Sequence, residues 1–203
     1  MADVLSFDEI NYLRSYNAMF AQAETEIRKT WYAYIGKAEL KDRLYDTLED
    51  MLVYAFASGI SDVDTQLSFA RVMRDSDSAR ILRESIDHKV AGKSTIERIG
   101  EHIEENSLPK MLVLVDTEVH RIYNTAMLEE AKALAAAHDV TIVKTWHTME
   151  DERVRQSHYW LDKVSVLLGD DFYTYDDSAP APGMFDLAEN NVNCRCWLTY
   201  SLY

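Results

Sequence analysis

Val140-Thr141-Ile142-Val143-Lys144-Thr145-Trp146 is the stretch on which the fold turns. It is β-branched and aromatic and contains no glycine or proline, so it predicts a strand. Everything upstream reads differently. The whole chain has 6 Gly and 3 Pro, and Pro109 is the only proline before residue 180. A sequence so poor in breakers is expected to be mostly helical. The change at Val140 therefore predicts an α+β protein: a helical N-terminal part, then a small C-terminal domain made of a long helix and a short, mainly antiparallel sheet.

Outward from Val140 toward the N-terminus, the spacing predicts a helix over 6–34, with Ser6 and Glu9 as a capping box. Ile10, Leu13, Asn17, Phe20, Ile27, Trp31 and Tyr34 recur at mostly helical intervals. Tyr12, Tyr16 and Tyr32 spread around the rest of this helix, which suggests a second covered face. Leu44, Leu48, Met51 and Ala55 form the stripe of a second helix over 38–58, with Gly59 as its stop. Residues 61–78 are polar, with a short helical piece at Leu67–Met73. A helix over 78–90 follows, and Ser94-Thr95-Ile96-Glu97 opens another. Leu108-Pro109 starts the longest helix, since proline is tolerated in a first turn; it runs to Ala137 and Asp139 breaks it. The expected division is 1–107, helical, and 108–203, α+β, with the long helix shared.

Downstream, Val164–Leu168 predicts a second strand and Phe172–Tyr175 a third. A loop over 176–183 with Pro180 and Pro182 comes next. From Cys196 to Leu202 the pattern alternates, placing Cys196, Leu198, Tyr200 and Leu202 on one face. The stretch from Gly169 to Asn193 holds six acids and no Lys or Arg, and lacks the ligand spacing of a calcium loop. It reads as a solvated acidic loop.

Composition bounds the function. The chain has 203 residues, 47% hydrophobic content and a net charge of -14. That is enough for one or two domains with a real core. Binding of duplex DNA through the general surface is not expected, because Lys and Arg carry phosphate binding. No apolar run of about 18 residues exists, so no membrane span is expected. The acidic start, Met1 to Glu9, lacks the apolar segment of a secretory signal.

Two clusters carry the chemistry. Asn193-Cys194-Arg195-Cys196 holds both cysteines, and Asp151-Glu152-Arg153-Val154-Arg155-Gln156-Ser157-His158 precedes it. Cys194, Cys196 and His158 form a candidate zinc site, since thiolate and imidazole are zinc ligands; His147 and Asp151 are candidates for the fourth corner. The plainer reading packs both thiols as small apolar groups around a hydrogen-bonded His158. The second Cys pair of ordinary structural zinc sites is missing, so no cofactor is expected and structural zinc is the alternative. Arg153, Arg155 and Arg195 either bind an anionic group or pair internally with Asp151, Glu152 or Asp162. In so acidic a chain pairing is the favoured reading. Glu118 and Arg121 share a helix face and read as a structural pair.

The order of these motifs resembles the phage Mu F-like family of minor head, or head morphogenesis, proteins. The matching residues are Trp146, then Asp151, Arg153, Arg155 and His158, then Leu161-Asp162, Phe172, Pro182-Gly183 and Asn193-Cys194-Arg195-Cys196. The helix segment Asp116–Asn124 is also similar. The resemblance covers about residues 110–203. Lys163 departs from it, standing where the family carries glycine. Some relatives have Cys-x-x-Cys where this chain has Arg155–His158, which would make His158 a substitute ligand.

The resemblance implies a low-copy virion protein in the capsid interior or near the portal vertex, present in host cytoplasm during assembly. Its partners would be the portal protein and other head proteins, with packaged DNA met only indirectly. Its role would be procapsid assembly or DNA packaging and delivery. No complete catalytic set contradicts this: G-x-S-x-G, the P-loop, H-E-x-x-H and the zinc deaminase pattern are all missing. The rival reading is a small metal-dependent hydrolase or nuclease-like toxin domain using His158.

Overall fold

The computed structural model describes residues 7–34 and 36–203, with side chains from Asn17 onward. The expected Ser6–Glu9 cap and the side chains of Ile10, Tyr12, Leu13 and Tyr16 lie outside the described residues. In chain order the elements are α1 (Phe7–Ala33), α2 (Lys37–Leu67), α3 (Asp75–Ile86), α4 (Thr95–Glu104), α5 (Leu108–His138), β1 (Ile142–His147), α6 (Gln156–Tyr159), β2 (Ser165–Leu167), β3 (Phe172–Tyr173), β4 (Ser178–Ala179), α7 (Ala188–Asn191) and β5 (Trp197–Leu202). The expected α+β class is what the chain adopts, and the helices fall almost wholly before Val140.

The long helices α2 and α5 form the centre. Leu44, Leu48, Leu52, Ala55, Ile60 and Val63 of α2 are buried against Val115, Val119, Ile122 and Ala126 of α5. Removal of such side chains from water drives the packing, at about 1.5–3 kcal/mol for each large one. Met19, Ala23 and Ile27 bring α1 onto the same core. Ser94 caps α4 as expected: its hydroxyl accepts from the Glu97 amide while the Glu97 carboxylate accepts from the Ser94 amide. Pro109 lies in the first turn of α5, and Asp139 ends it in a left-handed conformation with φ 50°.

Three expectations are corrected. Gly59 does not stop α2, which continues to Leu67. A Cβ at Gly59 would meet the Tyr123 carbonyl oxygen at 2.5 Å, so the glycine serves the α2–α5 crossing, not a helix end. The expected helical piece at 67–73 is mainly loop: Ser68 ends α2 at φ 56°, and buried Glu130 accepts the amides of Val72 at 2.7 Å and Met73 at 3.0 Å. The following helix runs from Asp75 to Ile86 instead of 78–90.

The sheet has strand order β2-β1-β5, all antiparallel. Trp146 faces Leu198 and Lys144 faces Tyr200 across β1 and β5. The period of two sends Ile142, Lys144 and Trp146 into the core. The longer reach of α2 has a use here, because Gln66 Oε1 accepts the Tyr200 amide at 2.8 Å and covers part of the β5 edge. The third expected strand is shorter, Phe172–Tyr173, and pairs with β4 in a separate two-stranded ladder. Leu202 is half-exposed, so the expected inward face of the last strand ends at Tyr200.

Candidate functional site

The C-terminal motifs meet in one place. Trp146 at the end of β1 is fully buried, with Phe172 edge-on to it at 5.1 Å and the His158 ring edge-on at 5.5 Å. Phe185 stacks on His158 at 5.3 Å and lies 5.9 Å from Trp146. The one-turn helix α6 delivers His158, and its Nδ1 lies 3.6 Å from Cys194 Sγ and 3.5 Å from Cys196 Sγ. All three residues are buried. Asn193 sets this up: it adopts φ 57°, a conformation asparagine tolerates, and the Cys194 amide then donates to the Asn191 carbonyl. The two thiols share protons unequally. The hydrogen bond from Cys196 is the main cause holding the Cys194 thiol well below its ordinary range, with His158 adding to it. The same hydrogen bond, with burial, pushes Cys196 well above.

A metal fits this cluster in part. The three donor atoms lie within 4.8 Å of one another. Bond lengths of about 2.3 Å for Zn–S and 2.0–2.1 Å for Zn–N put adjacent tetrahedral corners about 3.5 Å apart, close to the two observed N···S separations. The fourth corner is lacking among the described residues. His147 hydrogen-bonds Thr199 at 2.8 Å and stacks on Trp197, and Asp151 is taken by Arg195. Both expectations for a fourth ligand are therefore corrected. Among the described residues His158 Nε2 is buried without a hydrogen-bond partner, whereas ligating imidazoles ordinarily have their second nitrogen held.

The arginines divide. Arg195 forks onto Asp151 with contacts of 2.9 and 2.6 Å, the internal pairing its sequence context favoured. The Asp151 carboxyl is held below its ordinary range, chiefly by the Arg195 hydrogen bond. Arg155 pairs with no acid among the described residues; its guanidinium donates to the Val192 carbonyl. The Arg153 amide donates to Asp151 at 3.1 Å, turning the loop. Thr148 donates to Asp162 through its amide at 2.7 Å and its hydroxyl at 3.0 Å. The Arg195 and Arg155 bonds fasten the β1–α6 loop to the segment before β5, and the Thr148 bonds tie the same loop to the turn after α6.

The long acidic stretch is not simply a solvated loop. Asp177 accepts from the amides of Ser178, Asp186 and Leu187 and from the Asn190 side chain. Phe172, Ala179, Ala181 and Phe185 are buried beneath it.

Sequence reasoning missed Lys144 and Arg98, and it named His120 only as a neighbour of Glu118 and Arg121 on the long helix. Lys144 is buried in β1, where its ammonium donates to the Pro180 carbonyl at 2.7 Å. Burial lowers its pKa to about 8, against the pull of Asp171. The period-two alternation with Ile142 and Trp146 was the available signal. His120 of α5 reaches the Cys196 carbonyl through Nε2 at 2.8 Å, and Gly183 packs against its ring. Arg98 joins the expected Glu118–Arg121 pair, contacting Glu118 at 2.8 Å. Burial alone would raise Glu118, but Arg121 and Arg98 outweigh it and hold the carboxyl below its ordinary range.

No helix among the described residues is long and apolar enough to cross a membrane. No solved structure matches the chain. It is 34% identical over 95 residues to the minor head protein GP7 of Bacillus phage SPP1, covering 46% of this chain and 30% of that protein. It is 32% identical over 129 residues to the NAD(+)--arginine ADP-ribosyltransferase EFV of Enterococcus faecalis, covering 61% of this chain and 26% of that protein. The matches thus span under a third of either curated relative. The family described as Phage Mu protein F like protein matches residues 46–199, from within α2 to within β5 and across the whole Trp146–Cys196 constellation. With the motif order and the family match covering most of its length, the chain belongs to the phage Mu protein F-like family.

Proposed function

We propose that this chain is a phage minor head protein that works by binding, not by catalysis. It is a low-copy component in the capsid interior or near the portal vertex, acting in procapsid assembly or in DNA packaging and delivery. The observation that carries this is the family match over 46–199, joined by the 34% identity to a minor head protein. The partners are the portal protein and other head proteins. A net charge of -14 leaves packaged DNA an indirect neighbour. The protein meets its partners in host cytoplasm and is built into the virion.

The cluster of Trp146, His158, Cys194 and Cys196 serves the fold. Its thiols are buried, and a reactive thiol needs access as well as a lowered pKa. The division into a helical part, 1–107, and an α+β part, 108–203, belongs to the same proposal, with α5 shared between them. Structural zinc on His158, Cys194 and Cys196 is a second reading of the cluster, favoured by the convergence of the three donors.

An enzymatic alternative has one observation behind it, the similarity to an ADP-ribosyltransferase. It stands beside the metal-dependent hydrolase or nuclease-like reading that His158 suggests. The deciding experiment expresses the protein during infection, isolates procapsids, and assays the pure protein for nuclease activity and for transfer of ADP-ribose from NAD+ to arginine. Association with portal or procapsids without either activity supports the proposal. Activity lost in His158→Ala, with no association, overturns it.

A further inference from the structure

A groove of about 920 Å³ opens between α5, the α3–α4 connection and the segment 183–192. Val90, Val113, Leu114, Met184 and Phe185 give it an apolar lining. Its polar floor is Arg98, Arg121 and Glu118, all largely buried. Arg98, Arg121, Lys89 and Lys110 line the groove against the carboxylates of Glu118 and Asp186, so positive charge is in excess there. Arg98 Nε is buried with no hydrogen-bond partner among the described residues. His88 beside it is held below its ordinary range, by burial first and by Arg121 next. Lys89 stands exposed at the rim. In a chain of charge -14, this is a cationic, apolar receptor for an acidic, aromatic segment.

The same chain carries such a segment. The β3–β4 hairpin turns at Thr174, whose amide donates to the Asp177 carbonyl. Tyr173, Tyr175 and Asp176 are exposed there, Tyr175 at 102% of full accessibility. A fully exposed tyrosine flanked by acid suits an interface anchor, since its ring brings contact area at low entropic cost. No residue of the hairpin lines the groove of its own chain.

We propose that the groove receives the β3–β4 hairpin of a second copy of this chain, Tyr175 entering the apolar lining and Asp176 meeting Lys89. The contact is head-to-tail: each copy keeps one groove and one hairpin free, so the association extends or closes into a ring. Copies of charge -14 repel elsewhere, but a Debye length of about 8 Å at physiological salt screens that repulsion more than the contact pair. A hairpin tip is a small interface, so the expected Kd is on the order of 10–100 µM.

Sedimentation velocity on the full chain, across concentrations bracketing that value, tests this. The wild type is expected to self-associate past the dimer. Tyr175→Ala and Lys89→Glu, both at exposed positions and checked by melting curves, are each expected to weaken association at least tenfold. A mixture of the two joins an intact groove to an intact hairpin and is expected to stop at a one-to-one pair. Asp176→Lys combined with Lys89→Glu in one chain is expected to restore association. A wild type that stays monomeric, or single variants that associate like the wild type, would overturn the proposal. A monomer whose binding to portal protein is lost in Lys89→Glu also overturns it, and assigns the groove to another head protein.

Discussion

Gly59 of α2 lies so close to Tyr123 of α5 that a Cβ on the glycine would sit 2.5 Å from the tyrosine's carbonyl oxygen and 3.0 Å from Ala126 Cβ. The neighbouring atom is backbone of a central helix, which cannot swing away. Gly59→Ala is therefore expected to cost about 2–4 kcal/mol despite the better helix propensity of alanine. Gly100, inside α4, is the control. Its Cβ would meet only the flexible end of Lys41 at 3.4 Å. Gly100→Ala is expected to stabilise by roughly 0.5–1 kcal/mol. Urea unfolding of both variants checks the opposite signs, and equal effects would refute the close-packed crossing.

The Gly59 result shows how the sequence misleads. A glycine after an apolar stripe reads as a helix stop, because a stop needs only local information. The crossing partner sits more than sixty residues away, and no local pattern announces it. The capping box at Ser94, the proline start of α5 and the strand at Val140 were all legible because each is decided by neighbours in sequence. The site divides the same way. His158, Cys194 and Cys196 could be named, and Arg195 could be given an acid to pair with, but choosing Asp151 over Asp162 needed the loop geometry. Lys144 went unread because a lysine in a strand is ordinarily solvated, and its partner is a backbone carbonyl that no sequence pattern marks.

Lys163 offers a second stability test. It follows Leu161-Asp162 with φ 63°, and its amide donates to the Trp146 carbonyl at 2.8 Å. The turn is thus the left-handed one that a glycine would adopt freely, held here by a residue with a Cβ. A left-handed residue costs about 1–2 kcal/mol, partly offset by the extra unfolded-state freedom of glycine, so Lys163→Gly is expected to gain roughly 0.5–1 kcal/mol. The exposed contact of Lys163 with Glu150 at 3.2 Å is worth little against this. Lys163→Val is expected to lose stability. Thermal melts of the two variants check the order; a loss in Lys163→Gly would mean the lysine side chain holds the turn.

Asp116 makes stability depend on pH. It sits on α5 where α1 packs, its Oδ1 is buried without a hydrogen-bond partner among the described residues, and burial followed by Glu24 raises its pKa to about 7 against the pull of Arg28. A carboxyl raised in the fold stabilises while it is protonated. That contribution is complete below the unfolded value near 4 and is lost as pH climbs toward 7. Asp116→Asn keeps the neutral form at every pH. It is expected to stabilise by about 1–3 kcal/mol at pH 8 and to change little at pH 4, the range discounted for partial solvation. Denaturant midpoints at the two pH values check this, and a gain of equal size at both would rule out titration of Asp116 as its source.

The His158 cluster yields the test that separates a packed lock from a metal site. If the thiols only hydrogen-bond the imidazole and each other, Cys194→Ser exchanges one buried hydrogen-bonding group for another and is expected to cost about 1–3 kcal/mol, independent of metal. If zinc holds the three side chains, the loss is larger, because metal binding free energy is folding free energy. A chelator would then lower the melting temperature of the wild type and leave that of Cys194→Ser unchanged. Among the described residues the fourth ligand is missing and His158 Nε2 is unpartnered, and both favour the lock. The expected result is therefore purified protein with well under one zinc per chain and a melting curve unmoved by chelator. One zinc per chain, lost together with stability in both Cys194→Ser and His158→Ala, would reverse that assignment and make His158, Cys194 and Cys196 ligands.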